Sequence, residues 1–302
     1  MRIAITGATG FVGQKLIPML TQLGHEPVAF VREKPGREIP DGARGYDPLD
    51  PASVKQALEG CEAVINLAGE NIMGRRWNDQ VKEDMRRSRI DTTRVLVHAM
   101  GELEKPPQVL VSASAIGIYG PREAGEPCLE SNPGIDESYL ATLCRDWEAE
   151  AKRAEQDGTR VVLLRIGMVL GDDGGLKKME LPFKLGLGGK VGSGKQVVSW
   201  IHVHDLCEMI IFCMNHDDVQ GAVNATSPKP VTNLELTKAF AKQLGRPAFL
   251  PVPAFAVKAM FGEAAVVLLT GQTVIPTVAL DAGFAFDYET IESAFAAIYP
   301  RP

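Results

Sequence analysis

The first thirteen residues constrain the fold of this chain more than any other stretch. Residues 1–5 are a short, mostly apolar run, followed at once by Thr6-Gly7-Ala8-Thr9-Gly10-Phe11-Val12-Gly13. Apolar side chains then recur at Leu16, Ile17, Leu20 and Leu23, ahead of Gly24. This order predicts a buried strand, a glycine turn and an amphipathic helix. A turn of that kind can cradle a pyrophosphate, because the helix N-terminus offers free backbone N–H groups and a partial positive charge. Gly7 would permit the sharp turn, Gly10 the close approach of the phosphates, and Gly13 tight packing of helix on strand. The alternative is a tight strand-to-helix turn that holds no ligand.

With 302 residues, 45% hydrophobic and 23% charged, the chain has room for one large α/β domain and a smaller lobe. A net charge of −6 argues against a nucleic-acid partner bound by phosphate neutralisation. The basic stretch 75–94 is interleaved with Asp79, Glu83, Asp84 and Asp91, which reads as a solvated helix face. The five cysteines, Cys61, Cys128, Cys144, Cys207 and Cys213, form no C-x-x-C pair. Reduced thiols and a cytoplasmic location are expected, since the N-terminus shows no secretory leader pattern. No stretch reaches the roughly 18 uninterrupted apolar residues of a membrane span. The most apolar one, 254–275, is broken by Lys258, Glu263 and Gln272.

Strands are expected at 28–31, 63–67, 109–112 and 161–166, with helices at 81–100 and 139–156. This alternation predicts a doubly wound parallel sheet of the Rossmann type, an α/β fold. Beyond Gly171 the chain turns loop-rich. Helical patterns follow at 233–244 and 254–269, then a strand-like alternation at 283–288 and a last helix.

The spacing Thr-Gly-x-x-Gly-x-x-Gly resembles the short-chain dehydrogenase/reductase superfamily, in particular its extended, epimerase/dehydratase-like branch. Asn66-Leu67-Ala68-Gly69, after the apolar Ala63-Val64-Ile65, is similar to the N-x-A-G segment that closes the fourth strand over the cofactor there. Further segments are Glu70-Asn71-Ile72, Arg75-Arg76-Trp77, Ser88-Arg89-Ile90-Asp91-Thr92-Thr93, Leu181-Pro182-Phe183, Gly186-Leu187-Gly188-Gly189, Gly192-Ser193-Gly194 and Trp200-Ile201-His202. Together they resemble the epimerase family proteins, an atypical extended branch with a small C-terminal domain of uncharacterised role. The resemblance implies a nicotinamide dinucleotide-binding domain over 1–225 and a small C-terminal α+β domain over 226–302. A loop insertion at 171–198 would contribute to the substrate lobe. It implies an oxidoreductase or nucleotide-sugar epimerase acting on a small carbonyl or sugar-like substrate, and a homodimer is one arrangement it allows.

In that superfamily a Ser/Thr acts with a Tyr and a Lys in Y-x-x-x-K spacing. The Tyr is the acid/base, and the Lys holds the nicotinamide ribose and lowers the Tyr pKa from about 10 towards neutral. Here Val111-Ser112-Ala113-Ser114-Ala115 supplies the serine, with Ser114 the catalytic candidate and Ser112 a cofactor contact. Tyr139 is the candidate acid/base, but position 143 is Leu, so the tuning cation is missing from its usual place. That absence supports a rival reading, a regulator that senses NADPH without turnover. Tyr119 is expected to pack at the rim of the site.

The cofactor set implied by the resemblance is Gly7, Thr9, Gly10, Phe11, Val12 and Gly13 in the turn, Val31 and Arg32 at the end of the second strand, Leu67, Ala68 and Gly69 after the fourth, with Ser112 and Arg89. Arg32, where an NAD enzyme would carry an acid, favours NADP(H) through its 2′-phosphate, although Glu33 adjoins it and Arg32 could be a plain surface cation. Asp47 resembles the acid that contacts adenine, or it makes an Asp-Pro turn with Pro48. Arg89 faces cofactor, substrate phosphate or solvent. Two further patterns carry less. Residues 189–195 fit G-x-x-x-x-G-K, but Gln196 stands where a Ser or Thr would hold magnesium. His202 and His204 would share one face of a strand, without a third metal ligand, and Asp205 would cap the helix that follows.

Overall fold

The computed structural model describes residues 1–33, 38–122, 126–134 and 136–300. Strand β1 (Arg2–Thr6) is buried on both faces over four of its five residues, the mark of a strand covered on both sides. Helix α1 (Phe11–Gln22) turns Gly13, Leu16 and Leu20 inward, one helical stripe. The chain continues through β2 (Glu26–Arg32), β3 (Arg44–Tyr46), α2 (Pro51–Leu58), β4 (Ala63–Asn66), α3 (Asp79–Arg86), α4 (Thr92–Gly101), β5 (Val109–Ala115) and the short β6 (Pro127–Cys128). Then come α5 (Tyr139–Lys152), β7 (Arg160–Ile166), β8 (Met168–Leu170), α6 (Gly175–Lys184), β9 (Val197–Val198), β10 (Trp200–His202), α7 (Val203–Asn215) and β11 (Gly221–Ala225). The last part holds β12 (Val231–Thr232), α8 (Asn233–Leu244), α9 (Ala254–Phe261), α10 (Val266–Leu269), β13 (Thr273–Val274), α11 (Thr277–Asp281) and α12 (Ile291–Ile298).

Seven strands form one parallel sheet in the order β11-β7-β5-β4-β1-β2-β3. One face packs against α1 and α7 through Leu16, Leu20, Leu206 and Ile210. The other packs against α2, α4 and α5 through Val54, Leu58, Leu96, Met100 and Ala151. This is the doubly wound α/β arrangement that the strand–helix alternation predicts. A separate cluster joins β8 and β10 to α6, α8 and α12 around Trp200, Phe183, Phe240 and Phe295. Phe240 lies 4.8 Å from Phe183 and 5.0 Å from Phe295, ring centre to ring centre.

Five local expectations are corrected. The helix expected over 81–100 contains a wide π-helical turn, Arg87–Asp91, between α3 and α4. There the Thr92 hydroxyl donates to the Ser88 carbonyl at 2.8 Å and competes with the helical ladder. The helix expected over 254–269 breaks at Gly262, whose φ of +60° ends α9. The alternation at 283–288 forms no strand: the N–H groups of Asp287 and Tyr288 donate to the Asp205 carboxylate at 3.0 and 3.1 Å instead of to a neighbouring strand. Asp205 therefore does not cap α7. His202 does, its Nδ1 accepting from the His204 N–H at 3.2 Å. The two histidines share no strand face, because β10 ends at His202 and His204 lies in α7.

Candidate functional site

At the end of β1 the chain turns through Gly7, whose φ is +67°. A Cβ there would stand 2.6 Å from the Leu67 carbonyl oxygen, so the turn and the segment after β4 lie backbone against backbone. A Cβ on Gly13 would meet the Ala8 Cα and carbonyl at 2.7 Å. The Gly10 N–H donates to the Gly7 carbonyl at 2.9 Å and closes the turn. Gly10 is the N-cap of α1, with no side-chain cap and no acidic residue in the first turn. The first N–H groups of α1 thus have no partner within the helix. Thr9 and Gly10 beside them are exposed, and free N–H groups at a helix start are donors of the kind a phosphate oxygen accepts from. Phe11 and Val12 are half-buried and pack on the α1–α7 core. Phe11 lies under the loop after β8, where a Cβ on Gly171 would come 2.5 Å from its ring.

Parallel register sets two polar rows across the sheet. Thr6 pairs with Asn66, and Asn66 with Ser112. The Thr6 hydroxyl donates to Asn66 Oδ1 at 2.7 Å, and Asn66 Nδ2 donates to Ser112 Oγ and Thr93 Oγ1, both at 3.1 Å. Trp147 Nε1 donates to Thr93 Oγ1 at 3.0 Å. Ser112 is completely buried in this row and offers no surface to a ligand; its task is to tie β5 to β4. Two residues further along, Ser114 pairs with Arg165, and Arg165 with Asn224. The Ser114 hydroxyl donates to Glu148 Oε1 at 2.8 Å. Arg165 grips the same carboxylate with Nε at 2.9 Å and Nη2 at 3.0 Å, a bidentate pair. Arg165 Nη1 reaches the Tyr119 hydroxyl at 3.1 Å, and that hydroxyl donates to Asn224 Oδ1 at 2.6 Å. Tyr119 is fully buried in this network rather than at a rim. Glu130 continues it, accepting from the Asn224 N–H and the Thr277 hydroxyl.

Tyr139 lies elsewhere. From 139 to 148 is nine residues, about 900° of helix, so Tyr139 and Glu148 project from nearly opposite sides of α5. Its hydroxyl donates to the Lys82 carbonyl at 2.8 Å, and its ring packs edge-on to Trp77. Burial pushes its pKa above the ordinary value, with Arg89 opposing the shift. Leu143 packs with Val81 and Met85 on that same side of α5. Leu140 and Cys144 instead stand against Gly117 in the turn after β5. On that side burial pushes the Cys144 thiol up to about 12. The structure thus does not bring Ser114 and Tyr139 together: each is bonded to a different partner, across the body of α5.

At the far end of the groove, Arg32 is exposed at the close of β2 with no hydrogen-bond or ion-pair partner among the described residues. The neighbouring Glu33 folds over Gly45, where a Cβ would come 2.5 Å from Glu33 Oε1. Val31 is buried in the sheet. Asp47 Oδ1 accepts from the Leu49 N–H at 3.0 Å, which makes it the head of its own turn. A small cavity is lined by Tyr46, Pro48, Val54, Ala68, Thr92 and Leu96, and Gly69, next to Ala68 in the chain, is exposed. The Leu67 backbone stands against Gly7.

Sequence reasoning missed Glu148, Arg165, Asn224 and Glu130. An acid eight residues beyond Leu140 on an otherwise buried helix face, and an arginine inside the apolar run 160–166, were the available signals.

A doubly wound parallel sheet with an uncapped glycine turn after β1, and at the end of β2 an arginine without a partner among the described residues, defines a dinucleotide-binding protein of the Rossmann class. Within that class, the chain belongs to the NAD dependent epimerase/dehydratase family, whose model matches residues 3–225. A domain of unknown function, DUF1731, matches residues 252–298. Among curated relatives, the chloroplastic epimerase family protein SDR39U1 homolog of Arabidopsis thaliana is 40% identical over 304 residues, covering 99% of this chain and 86% of the relative. The epimerase family protein SDR39U1 of Homo sapiens is 38% identical, covering 99% of each. A crystal structure of the human epimerase family protein SDR39U1 (isoform 2) with NADPH superposes with a TM-score of 0.91 at 36% identity, over 99% of both chains. A UDP-glucose 4-epimerase of Thermus thermophilus in complex with NAD shares the fold, with a TM-score of 0.79 at 20% identity and coverage of 99% and 97%. No described helix is long and apolar enough to cross a membrane.

Proposed function

We propose that this chain binds NADP(H) across the carboxyl ends of β1, β2 and β4 and acts as an oxidoreductase or epimerase on a small carbonyl or sugar-like substrate. One observation carries the cofactor reading. The uncapped start of α1 and the unpartnered Arg32 stand at the two places where a dinucleotide needs a phosphate cradle and a 2′-phosphate partner. Gly10 leaves the cradle open, Gly7 and Gly13 let the turn close on the Leu67 and Ala8 backbone, and the Glu33 side chain lies over Gly45. The human relative with NADPH bound supports the same choice. When bound, the nicotinamide supplies the hydride chemistry of this family. On the protein side, Thr9, Gly10, Phe11 and Val12 hold the diphosphate, Ala68 and Gly69 border the ring half, and Ser114 is the polar group at the end of β5.

The rival, a non-catalytic NADPH-binding regulator, is favoured by one specific observation: the side of α5 near the turn after β5 carries Leu140 and Cys144, with no tyrosine or lysine. Titration with NADPH and NADH, for wild type and Arg32→Ala, tests the cofactor reading. A charge-assisted pair contributes about 1.5–3 kcal/mol, so NADPH should be preferred about tenfold or more, and the variant should lose that preference. Equal affinities in wild type would overturn it. A panel of aldehydes, ketones and nucleotide sugars, followed by NADPH oxidation, separates the two functions. Tight binding with no turnover across the panel selects the regulator.

A further inference from the structure

Exposed apolar side chains gather on one part of this protein. Phe255 is 76% exposed and Phe249 71%, and Leu181, Leu185, Leu187 and Met260 are exposed with them. All six lie in α6, in α9 or in the loops that adjoin them. Helix α9 is apolar at seven of its eight positions, yet only Val257 is buried. Backbone hydrogen bonds hold these segments side by side. The Leu185 N–H donates to the Leu181 carbonyl at 3.1 Å and closes the last turn of α6. The Leu250 N–H donates to the Gly188 carbonyl at 3.3 Å, and the Val252 N–H to the Lys190 carbonyl at 2.9 Å. The loop after α6 thus runs beside the segment that leads into α9. Clustered exposed apolar side chains mark an interaction surface.

The same two segments are strongly basic. Residues 175–195 carry five lysines and one acid, and 236–262 carry three lysines, one arginine and no acid, in a chain whose net charge is −6. The acids within and beside them are engaged. Glu180 is held by Lys177 and Lys184, Glu235 caps α8 with Thr232, and Glu263 pairs with Lys82. The side chains of Lys178, Lys195, Arg246 and Lys258 have no hydrogen-bond or ion-pair partner among the described residues. Lys184 stands between Leu181 and Leu185 in the chain, and Lys258 follows Phe255 by about one helical turn.

Charge and composition select the occupant. A second copy docked through the same face would set like charges against like. An acidic protein satisfies the charge, but protein interfaces are poor in lysine and rich in arginine, tyrosine and tryptophan. Here eight of the nine cations are lysine, and neither segment holds a tyrosine or a tryptophan. Lysine stems beside leucine and phenylalanine suit a lipid surface, where the apolar groups enter the acyl boundary and the ammonium groups reach the phosphates.

We propose that this face docks the protein reversibly on an anionic lipid surface, with Phe249 and Phe255 as apolar anchors and Lys178, Lys195 and Lys258 facing the lipid phosphates. Docking of this kind needs no spanning helix and no bound dinucleotide.

The test is flotation of the full chain with vesicles of phosphatidylcholine alone, and of phosphatidylcholine with about one-third phosphatidylserine, at low and high salt. Wild type should float with the anionic vesicles only, and added salt should release it. Lys195→Gln/Lys258→Gln should weaken this binding on the order of thirtyfold. Phe249→Ser/Phe255→Ser keeps every charge and should weaken it by about tenfold or more. Both variants change exposed side chains, so melting temperature and NADPH affinity should match wild type. Phe255→Trp gives a second readout, a shift of emission to shorter wavelength with anionic vesicles, against a constant background from the buried Trp77, Trp147 and Trp200. Wild type that ignores anionic vesicles at low salt overturns the proposal and leaves an acidic protein as the occupant. Equal binding to neutral vesicles overturns it as well. A wild-type dimer that Phe249→Ser/Phe255→Ser dissociates in sedimentation makes the face an interface between copies and overturns it too. Unchanged Phe255→Trp emission does the same, whether or not the serine variant folds.

Discussion

Glu148→Gln should cost more stability than any other single substitution in the polar rows of the sheet. The side chains of Arg165 and Glu148 are only 5% and 7% exposed. Glutamine keeps the shape, so no cavity opens, but Arg165 is left as a buried cation and the Ser114 hydroxyl loses a charged acceptor. Removing one partner of a buried ion pair costs about 3–5 kcal/mol. Unfolding entropy near 2.1 cal/mol/K per residue gives roughly 0.6 kcal/mol/K for a chain of 302 residues. The melting temperature should therefore fall by about 5–8 °C, as followed by differential scanning calorimetry. The double substitution Glu148→Gln/Arg165→Met removes the orphaned charge and should recover at least half of the loss, because apolar replacement of a whole buried pair is close to neutral. The two sites are in direct contact, so their effects must couple rather than add. A Glu148→Gln protein that melts within about 2 °C of wild type, or a double variant no better than the single one, would refute the claim that this pair holds β5, β7 and α5 in register.

Other outcomes follow from the same geometry. Gly10→Val should abolish dinucleotide binding in a folded protein, since a Cβ there meets only the Gly7 carbonyl, at 3.1 Å, and otherwise projects into the cradle; wild-type affinity by fluorescence titration would contradict the cradle. Gly7→Ala should instead destabilise the fold by about 1–3 kcal/mol, through left-handed strain and its clash with Leu67, as read by denaturant unfolding. Tyr139→Phe should cost about 1 kcal/mol through the lost bond to the Lys82 carbonyl while leaving NADPH affinity and any turnover unchanged; loss of turnover alone would restore Tyr139 as the acid/base. Burial, followed by His204, holds His202 down to about 4 from its ordinary 6.5. The unfolded chain then binds more protons than the folded one between these values, so His202 contributes stability at neutral pH that is lost as pH falls from about 6.5 towards about 4. His202→Asn should flatten that part of the melting-temperature profile while keeping the α7 cap.

The parts of the site that are short in sequence were legible from it. The turn at 6–13 reads correctly because strand, turn and helix start are fixed by neighbouring residues: three glycines, an apolar run before them and helical spacing after. Which side chain of α5 meets Ser114 was not legible, and α5 shows why. Between 139 and 152 buried residues occur around much of the helix, including Ala141, Leu143, Cys144, Trp147 and Ala151. A helix apolar on several sides has no unique inward face by periodicity, so Tyr139 in the expected spacing looked placed for Ser114. Packing chose the rotation that gives Glu148 to Ser114 and Tyr139 to Lys82. Likewise, the segment 283–288 has a strand's alternation, but Asp205, more than seventy residues away, takes its N–H groups.

The sequence alone determined the doubly wound class, through its alternation of strands and helices, and the glycine turn after β1, which is set by residues within one strand–turn–helix unit. Only the tertiary structure decided which polar groups meet. Thr6, Asn66 and Ser112 lie in one row, and Ser114, Arg165 and Asn224 in another, through the register of parallel strands far apart in the chain. Glu148 and Tyr119 complete the second row because burying an arginine in the sheet demands a carboxylate and acceptors around it, wherever in the chain they come from. No local pattern encodes that demand. It exists only once the strands are side by side and water is gone.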